Sequence, residues 1–374
     1  MSNKIIKILT IAGTRPEFIK LSETIKLLDK NFNQILVNTN QNFEYELNKI
    51  FFKDLNIRKP DYIFKNKSKT AIAKISDNFI IVEKIIKTEM PDAVLILGDT
   101  NSALVAYVAK RLKVPIFHIE AGNRCFDQRV PEEINRKIVD HLSDINLVYS
   151  DISRNYLIGE NIPPQNIIKV GSPIMEIYKR NRLKINKSNI LKKLDLKKSD
   201  YFIISFHREE HLDSPNKLKN FLDLLSCLEK NFKHKIIIST HFKLRDRINK
   251  SKFSMKSKKI KFLKPFGYFD YCKLLVNSKL VLSDSGTLNE EASIMGFNAV
   301  NLRETHERPE ADEEAVTQLT GLDIDQIYKY IKNIKHFKRS KIVRDYDVNN
   351  FSEKIVKIIG GYINKVQREV WKKY

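Results

Sequence analysis

The sequence contains 374 residues, of which 42% are hydrophobic and 10% are aromatic. This length suits two domains of ordinary size, and the apolar content excludes a disordered chain. The formal net charge of +22 is spread along the chain, in stretches such as residues 181–198 and 250–264. No nucleic-acid-binding motif accompanies it, so we expect no nucleic-acid partner, although a basic surface would attract an anionic substrate.

Membrane, secretory and metal-binding patterns are absent from the sequence. The first apolar run, residues 5–12, is short and leads directly into Gly-Thr-Arg-Pro, which indicates a buried strand rather than a secretory signal. No apolar run reaches the roughly 18–20 residues that a membrane helix needs. Cys125, Cys227 and Cys272 form neither a disulfide framework nor a zinc motif. We therefore expect a cytoplasmic protein with no membrane partner and no metal.

Strand-like and helical patterns alternate through the first half of the chain, which predicts a parallel sheet covered by helices. The predicted strands are residues 5–12, 34–38, 93–97, 115–119, 145–149 and 167–170. Residues 75–87 and 102–112 are predicted helices. In the helix at residues 75–87, the side chains predicted to share one face are Ile75, Phe79, Ile80, Val82, Ile85 and Ile86.

A second series of strands follows a polar segment at residues 179–198. These predicted strands are residues 201–205, 235–239, 260–263, 280–283 and 299–302. The pattern predicts two doubly wound α/β domains, residues 1–175 and 176–350, with an interdomain cleft. Ligands of such sheets bind beyond the carboxyl ends of the strands. The final segment, residues 351–374, is predicted to be a helix that could pack back on the first domain.

Charged residues follow predicted strands in the first half. Arg15, in Gly13-Thr14-Arg15-Pro16-Glu17, would stand beside a helix N-terminus, where phosphate binds well, although a solvated arginine is an equal alternative. Asp99 could be functional, yet taken alone it better fits an N-cap of the next helix. Glu120 directly follows an apolar strand, so we expect it to be partly buried and to need a partner.

A further acidic pair, Glu132 and Glu133, opens a predicted helix at Pro131, where carboxylates could simply complement the helix dipole. Taken with Asp99 and Glu120, these residues place acidic groups at elements that we expect to face one cleft.

The second half offers groups that suit a nucleotide. His207 and Arg208 follow a strand and could hold phosphate, although a lone histidine is more often structural. The amides of Ser285 and Gly286 would lie at a helix N-terminus and bind an anion, and Glu291 could bind two ribose hydroxyls. The loop at residues 303–310 is densely charged, which predicts that it lies outside the core.

Taken together, these motifs resemble those of the non-hydrolysing UDP-N-acetylglucosamine 2-epimerase family. The resemblance runs from Gly13 to Glu310 and includes Gly98-Asp99-Thr100, His118-Ile119-Glu120-Ala121-Gly122, Pro131-Glu132-Glu133-Ile134-Asn135-Arg136 and Asp284-Ser285-Gly286. It implies a GT-B fold of two Rossmann-like domains. It also implies an isomerase that needs no cofactor, acts on a UDP-sugar and forms a homodimer.

One branch of that family is more similar still. Residues 120–133, Glu-Ala-Gly-Asn-Arg-Cys-Phe-Asp-Gln-Arg-Val-Pro-Glu-Glu, resemble the enzymes that make UDP-N-acetyl-L-fucosamine from UDP-2-acetamido-2,6-dideoxy-L-talose for capsule or O-antigen synthesis. Thr287 replaces a common second glycine. Gln41-Asn42 replaces the usual Gln-His near the position where some members bind an activating UDP-GlcNAc. The L-talose derivative is therefore the predicted substrate.

The alternatives to this substrate and reaction stay open at this point. The first is epimerisation of UDP-GlcNAc to UDP-ManNAc. A GT-B glycosyltransferase and a non-enzymatic UDP-sugar-binding protein are further alternatives, which the set of acidic residues disfavours.

The resemblance also implies a mechanism and a set of residues. Family members eliminate UDP to form a glycal and then add UDP back, with the proton returned to the other face of carbon 2. The implied catalytic residues are Asp99, Glu120, Glu132 and His207. The implied UDP-binding residues are Arg15, Lys20, His207, Phe266, Ser285, Gly286, Glu291 and Arg308.

Overall fold

The structure is a computed structural model. It describes residues 5–41, 45–65, 68, 70–250, 257–337 and 340–373, without the side chains of residues 45–49, 209 and 242. Asn42 of the Gln41-Asn42 motif lies outside the described residues. The chain divides into two compact units. Unit 1 comprises Met1–Ile177 with Asp345–Tyr374, and unit 2 comprises Tyr178–Arg344.

Unit 1 alternates strands and helices. Its strands are β1 (Lys7–Ala12), β2 (Asn33–Asn38), β3 (Tyr62–Ile63), β4 (Ala93–Leu97), β5 (Ile116–Ala121), β6 (Ile145–Val148) and β7 (Ile167–Lys169). Its helices are α1 (Arg15–Asn31), α2 (Tyr45–Asp54), α3 (Ala71–Glu89), α4 (Ala106–Arg111), α5 (Pro131–Leu142), α6 (Asp151–Gly159), the start of α7 (Ile174–Lys187), and the chain's last helix, which is Phe351–Glu369.

The sheet of unit 1 is parallel, with the strand order β3-β2-β1-β4-β5-β6-β7 among the described residues. The order reverses between β1 and β4, where Thr10 pairs with Leu95. Helices cover both faces of this sheet, so its strands are rich in buried aliphatic residues such as Leu9, Ile11 and Ile96. In doubly wound sheets, the carboxyl ends of the strands at such a reversal form the usual ligand-binding position.

Unit 2 repeats this plan. Its strands are β8 (Tyr201–Ser205), β9 (Lys235–Ser239), β10 (Ile260–Leu263), β11 (Leu280–Ser283), β12 (Ala299–Asn301) and β13 (Gln318–Leu319). Its helices after α7 are α8 (Ile190–Lys193), α9 (Glu209–Leu212), α10 (Pro215–Asn231), α11 (Phe242–Lys250), α12 (Tyr268–Asn277), α13 (Leu288–Glu291), α14 (Pro309–Glu313) and α15 (Ile324–Asn333). The last helix of the chain, in unit 1, is therefore α16.

The sheet of unit 2 has the order β10-β9-β8-β11-β12-β13, and its strands are parallel among the described residues. The order reverses between β8 and β11, where Ser205 pairs with Ser283. Phe202, Phe221 and Leu282 lie in its buried core. The residues that follow β8 and β11 therefore occupy the ligand-binding position of this sheet.

The predicted strands agree with the structure within two residues at each end, and β3 and β13 are additional. One predicted helix face was wrong in part. Ile80 is 52% exposed, whereas Val82, Ile85 and Ile86 are buried, because a 3.6-residue repeat leaves residue 80 off the buried stripe. The predicted helix at 102–112 is a 3-10 turn, Ala103–Val105, followed by α4.

Helix α16 packs against α1 within unit 1. The hydroxyl groups of Thr24 and Ser352 lie 3.2 Å apart, and Ser352 also donates to the buried carboxylate of Glu176. Among the described residues, no helix combines the length and apolarity that crossing a membrane requires.

Candidate active site

The acidic residues predicted in unit 1 follow strands β4 and β5, which are neighbours in the sheet. Asp99 comes two residues after the end of β4, and Glu120 is the penultimate residue of β5. Gly98 has a φ of +76° and Glu120 has a φ of +69°. The sheet register shifts between Ile119 and Ala121, so a bulge re-aims the backbone at Glu120.

Glu120 is held by a nearly buried ion pair. Its Oε2 lies 2.5 Å from Lys20 Nζ, and the side chains are 10% and 7% exposed. The hydroxyl of Tyr149 donates to the same oxygen at 3.2 Å. The expectation that Glu120 is partly buried and paired is met, and its partner Lys20 is itself a predicted UDP-binding residue. A buried carboxylate is stabilised when such a cation and hydroxyl satisfy it.

Asp99 does not cap a helix, since the residues after it form the 3-10 turn and α4 begins only at Ala106. Instead, Arg136 donates to Asp99 Oδ2 through Nε at 3.0 Å and Nη2 at 2.8 Å. Asn135 donates to the backbone carbonyl of Asp99 at 2.9 Å. Both Asn135 and Arg136 belong to α5. This helix therefore fixes the loop that carries Asp99.

The two glutamates at the start of α5 have different surroundings. Glu132 is partly exposed, whereas Glu133 is buried and accepts from the amides of Cys125 and Phe126 and from Arg136 Nη1. Burial alone would raise the pKa of Glu133, but the Cys125 amide and the Arg136 charge hold that pKa below its usual value. Of the two glutamates, only the partly exposed Glu132 is accessible to solvent.

A further carboxylate, Glu17, was not predicted as a site residue. It is buried at the start of α1, where its Oε2 accepts from the amides of Gly13 at 2.6 Å and Thr14 at 3.1 Å. Burial raises the pKa of Glu17 to about 7, against the hydrogen bonds from Thr100, Gly13 and Thr14 that lower it. The Glu at the third helical position after Thr14 is a capping-box signal. This signal in the sequence could have predicted that Glu17 accepts hydrogen bonds from the backbone at the start of α1.

The other predicted phosphate ligand of unit 1 is Arg15, the first residue of α1. Its side chain is partly exposed, and its guanidinium lies 4.8 Å from the centre of the Phe51 ring. The arginine is therefore packed against an aromatic ring at a helix N-terminus, where an anion would also be stabilised.

In unit 2, the buried carboxylate of Asp284 follows β11 and organises the residues after β8. It accepts from the amides of His207 and Arg208 at 3.0 Å each, and His211 Nδ1 lies 3.1 Å from Oδ2. His207 Nδ1 lies 3.0 Å from Oδ1. Burial alone would raise the pKa of Asp284, but the two histidines hold it well below its usual range. His207 remains 40% exposed, so its imidazole is held yet accessible.

The predicted anion site after β11 is a compact turn. Ser285 donates its amide to Ser283 Oγ at 3.0 Å, and the hydroxyls of Ser285 and Thr287 lie 3.1 Å apart. Thr287 donates to Glu291 at 3.1 Å. A Cβ atom at Gly286 would lie 3.0 Å from Glu307 Oε1, so a larger residue would force a shift here. Residues 285–287 and Glu291 are all partly exposed.

The charged loop after β12 contradicts the expectation that its residues lie outside the core. Arg308 is 1% exposed and pairs with the buried carboxylate of Glu290 at 2.9 Å. Arg303 pairs with Glu307 at 2.8 Å, also out of solvent. These charges can be buried because each has an opposite partner. Phe266, predicted to lie near uracil, is partly buried between β10 and α12.

Among the described residues, no group of three or more His, Cys, Asp or Glu side chains is placed to hold a metal ion. The two parallel sheets with their helices define an α/β protein of the GT-B fold, as the sequence predicts. The sequence model described as UDP-N-acetylglucosamine 2-epimerase matches residues 26–360, so the chain belongs to this family of isomerases.

Several relatives share most of the chain. The solved UDP-N-acetylglucosamine 2-epimerase of Rickettsia bellii is 43% identical with a TM-score of 0.91, covering 99% of this chain and 100% of that chain. The Methanocaldococcus jannaschii UDP-GlcNAc 2-epimerase, solved with UDP-GlcNAc and UDP, is 34% identical with a TM-score of 0.89, covering 95% and 99%. The UDP-2,3-diacetamido-2,3-dideoxy-D-glucuronate 2-epimerase of Pseudomonas aeruginosa is 33% identical, covering 86% and 90%.

Proposed function

We propose that this chain inverts carbon 2 of a UDP-N-acetylamino sugar without a cofactor, using Asp99, Glu120 and Glu132 for proton transfer. The observation that carries the proposal is the nearly buried Lys20–Glu120 ion pair at the end of β5, next to the strand that positions Asp99. Family membership supports the reaction class. Within unit 1, Arg136 fixes the carboxylate of Asp99 and Lys20 fixes that of Glu120, and general acid–base catalysis requires groups held in position in this way.

The proposed reaction is an elimination followed by an addition. A carboxylate removes the proton from carbon 2 while the bond between carbon 1 and the UDP oxygen breaks, which leaves a glycal with a double bond between carbons 1 and 2. UDP then adds back to carbon 1, and a second carboxyl group donates a proton to the opposite face of carbon 2. Atoms and electrons balance, since UDP leaves and returns and one proton is exchanged.

The proposed nucleotide contacts in unit 2 centre on His207. Its Nδ1 faces the ionised carboxylate of Asp284 at 3.0 Å, which favours a proton on that nitrogen and orients the exposed ring. Such a ring can stabilise the charge of a departing diphosphate. Ser285 and Gly286 are proposed to bind the same group, Glu291 the ribose and Phe266 the uracil.

Three further predicted UDP-binding residues have buried or packed side chains. Arg15 packs against the Phe51 ring, Lys20 pairs with Glu120, and Arg308 pairs with Glu290. We retain them in the proposal. Arg308, at 1% exposure, would act mainly by holding the backbone of its loop.

For the sugar, we propose UDP-2-acetamido-2,6-dideoxy-L-talose, which would give UDP-N-acetyl-L-fucosamine. The support is the segment from Glu120 to Glu133, whose sequence resembles that of the enzymes in this branch. In this segment Arg124 is buried against Asp140 and Glu160, and the exposed Phe126 packs edge-on against Tyr156. An exposed aromatic ring suits a 6-deoxy methyl group better than a hydroxymethyl group.

UDP-GlcNAc is the second candidate substrate, and the relatives favour it. The Methanocaldococcus jannaschii enzyme was solved with UDP-GlcNAc and UDP bound, and it aligns with 95% of this chain. The residues proposed to contact UDP would serve both sugars equally, so they do not discriminate between the two.

We also propose a homodimer formed through unit 1. Helices α3, α4 and α5 pack side by side, and they expose Ile72, Ile80, Tyr107, Ile134 and Ile138. Exposed large apolar residues on neighbouring helices are typical of protein interfaces when they form one patch. Sedimentation velocity of the chain with Ile72→Asp and Ile80→Asp tests this. A dimer that becomes a monomer supports the interface, and a dimer that persists contradicts it.

The substrate is tested by incubating the purified chain with each UDP-sugar in turn, without cofactor, and separating the carbon-2 epimers. We expect kcat/KM for the L-talose derivative to exceed that for UDP-GlcNAc by at least about 100-fold, because the sugars differ in ring configuration as well as at carbon 6, and one hydroxyl group alone can supply about 100-fold. The Glu120→Gln variant is the control for contaminating activity. Preference for UDP-GlcNAc would replace the proposed sugar, and no epimer from either sugar would overturn the proposed reaction.

A further inference from the structure

His118 is a fully buried histidine on β5 that the proposed chemistry does not use. It is 0% exposed, and both of its ring nitrogens face oxygen atoms. Nε2 lies 2.8 Å from the backbone carbonyl oxygen of Gly98, and Nδ1 lies 3.0 Å from Asp140 Oδ1. The ring thus lies between the end of β4 and helix α5, which carry two of the proposed catalytic carboxylates.

The chemistry of these two partners determines where the protons lie. A carbonyl oxygen can only accept, so Nε2 must carry a proton. Both carboxylate oxygens of Asp140 face donors, since Oδ2 accepts from Arg124 Nη1 at 2.7 Å and the Gly122 amide lies within 3.3 Å of each oxygen. A bare Nδ1 lone pair facing this carboxylate at 3.0 Å would be repelled. This contact therefore favours a proton on Nδ1 as well, which would make the ring an imidazolium.

We propose that His118, as a buried imidazolium, is a positioning residue that holds the Gly98 carbonyl and thereby fixes Asp99 and the neighbouring Glu120 loop. The proposal rests on the function proposed for Asp99. His118 itself would not touch the substrate. It acts through the peptide unit directly before Asp99, where Gly98 has a φ of +76°.

The partner of His118 connects the other proposed catalytic elements. Asp140 lies on α5, the helix that begins at Pro131 and carries Glu132. Its carboxylate also receives the amide of Gly122, two residues after Glu120. The pair His118–Asp140 therefore joins the loop of Asp99, the loop after Glu120 and the helix of Glu132 at one buried point.

The charges that face this ring favour its protonated form. Burial alone would lower the pKa of His118, but Asp140, the Gly98 carbonyl and Asp99 together raise it above its ordinary value. Arg124 faces Asp140 from the other side and is itself paired with Glu160. On β6, the neutral amide of Asn146 is the strand partner of His118 and donates to the Asp140 carbonyl. Neutralising the imidazolium would leave the Gly98 carbonyl without a charged donor.

The protonation state is tested directly on the wild-type chain by NMR with ¹⁵N-labelled histidine, and His118→Phe identifies the signals. We expect both ring nitrogens of His118 still to carry protons at a pH at which an ordinary histidine, with a pKa of about 6.5, has already lost one of them. A His118 signal that titrates like an ordinary histidine would overturn the proposal. This readout does not depend on which sugar the chain uses.

The positioning role is tested by kinetics of His118→Phe, which keeps a planar ring without donors. We expect kcat to fall by about 100-fold, the effect of misplacing a catalytic group by about 1 Å, with KM and the Kd for UDP unchanged. The control is His234→Phe, which changes a partly buried histidine that packs on Phe202. This variant should keep wild-type kcat. A folded His118→Phe variant with wild-type kcat would contradict the role. If the variant does not fold, the wild-type NMR result decides, with the His118 signals then assigned by elimination from single variants of the other histidines.

Discussion

Arg136 donates two hydrogen bonds to a single oxygen of Asp99, through Nε at 3.0 Å and Nη2 at 2.8 Å. Its third nitrogen, Nη1, donates to Glu133 at 2.5 Å. The arginine is buried, so its charge is shared between a proposed catalytic carboxylate and a structural one. Charge-assisted hydrogen bonds of this kind fix the geometry of the carboxylate as well as stabilising it.

Variants of Arg136 therefore distinguish its role in orienting Asp99 from its role in neutralising the buried charge of Glu133. Arg136→Met should lower kcat by about 100-fold, since Asp99 loses its orientation. It should also lower the free energy of unfolding by about 3 kcal/mol, since Glu133 is left as an uncompensated buried charge. Arg136→Lys keeps the charge but loses the planar fork, so its kcat should be intermediate. Steady-state kinetics and urea denaturation measure both effects.

The matched control for these variants is Lys87→Met. Lys87 forms an ion pair with Glu83 on the exposed face of α3, and such pairs contribute about 0.5 kcal/mol or less. The kcat of Lys87→Met should equal that of the wild type. If Arg136→Met also keeps wild-type kcat while folded, Arg136 does not position a catalytic Asp99.

The proposed proton-transfer residues are tested by Asp99→Asn and Glu120→Gln. Each amide keeps the size of the side chain but cannot accept a proton, so turnover should fall by about 1,000-fold. The Kd of Asp99→Asn for UDP, measured by calorimetry, should change little, because UDP lacks the carbon-2 proton on which Asp99 acts. Asp213→Asn, at an exposed ion pair with Arg247, should leave both quantities unchanged. Wild-type turnover by Asp99→Asn would remove that residue from the mechanism.

Asp284→Asn tests the carboxylate that holds His207 and His211. Since the pKa of Asp284 is depressed in the folded chain, its stabilising contribution is present above its unfolded pKa and is lost as the pH falls through the folded value. At about pH 7 the variant should be less stable by about 3 kcal/mol, and the difference should shrink below about pH 4. Its affinity for UDP should also fall.

Urea denaturation at several pH values, followed by calorimetry with UDP, measures these effects of Asp284→Asn. A loss of stability that is the same at every pH would contradict the assigned ionisation. Unchanged UDP affinity in a folded variant would separate His207 from the nucleotide.

Glu17→Gln should show the opposite pH dependence. The folded pKa of Glu17, about 7, lies above its usual value of 4.5, so the wild type loses stability as the pH rises between these values. Glutamine still accepts from the amides of Gly13 and Thr14 but does not ionise. The stability of the variant relative to the wild type should therefore increase by about 3 kcal/mol between about pH 4 and about pH 8. Parallel stability curves would show that Glu17 does not titrate in this range.

Much of the fold follows from local sequence patterns. Buried parallel strands are short apolar runs, so β4, β8 and β11 were predicted with their observed bounds. The strand β13 has only two residues, both exposed, and gives no such pattern. Ile80 was misplaced because its apolar character alone does not say on which side of a helical stripe it falls.

The candidate site was predictable only in part. Asp99, Glu120 and His207 follow strands, and a sheet brings the ends of its strands to one edge whatever the details. Their partners depend on tertiary structure. Arg136 is 37 residues from Asp99, and His211 is 73 residues from Asp284. The buried pair of Arg308 and Glu290 could not be predicted for the same reason. A loop rich in charged residues is expected to be exposed unless the partners that neutralise those charges are known.

The reaction proposed for this chain exchanges the proton at carbon 2 of a UDP-N-acetylamino sugar. This exchange is tested by NMR of the purified chain in heavy water, without cofactor, with UDP-2-acetamido-2,6-dideoxy-L-talose and separately with UDP-GlcNAc. We expect deuterium at carbon 2 of an inverted product, with the L-talose derivative reacting faster, and no incorporation with Glu120→Gln. Inversion without deuterium, or no exchange with either sugar although UDP binds, would contradict the proposed reaction.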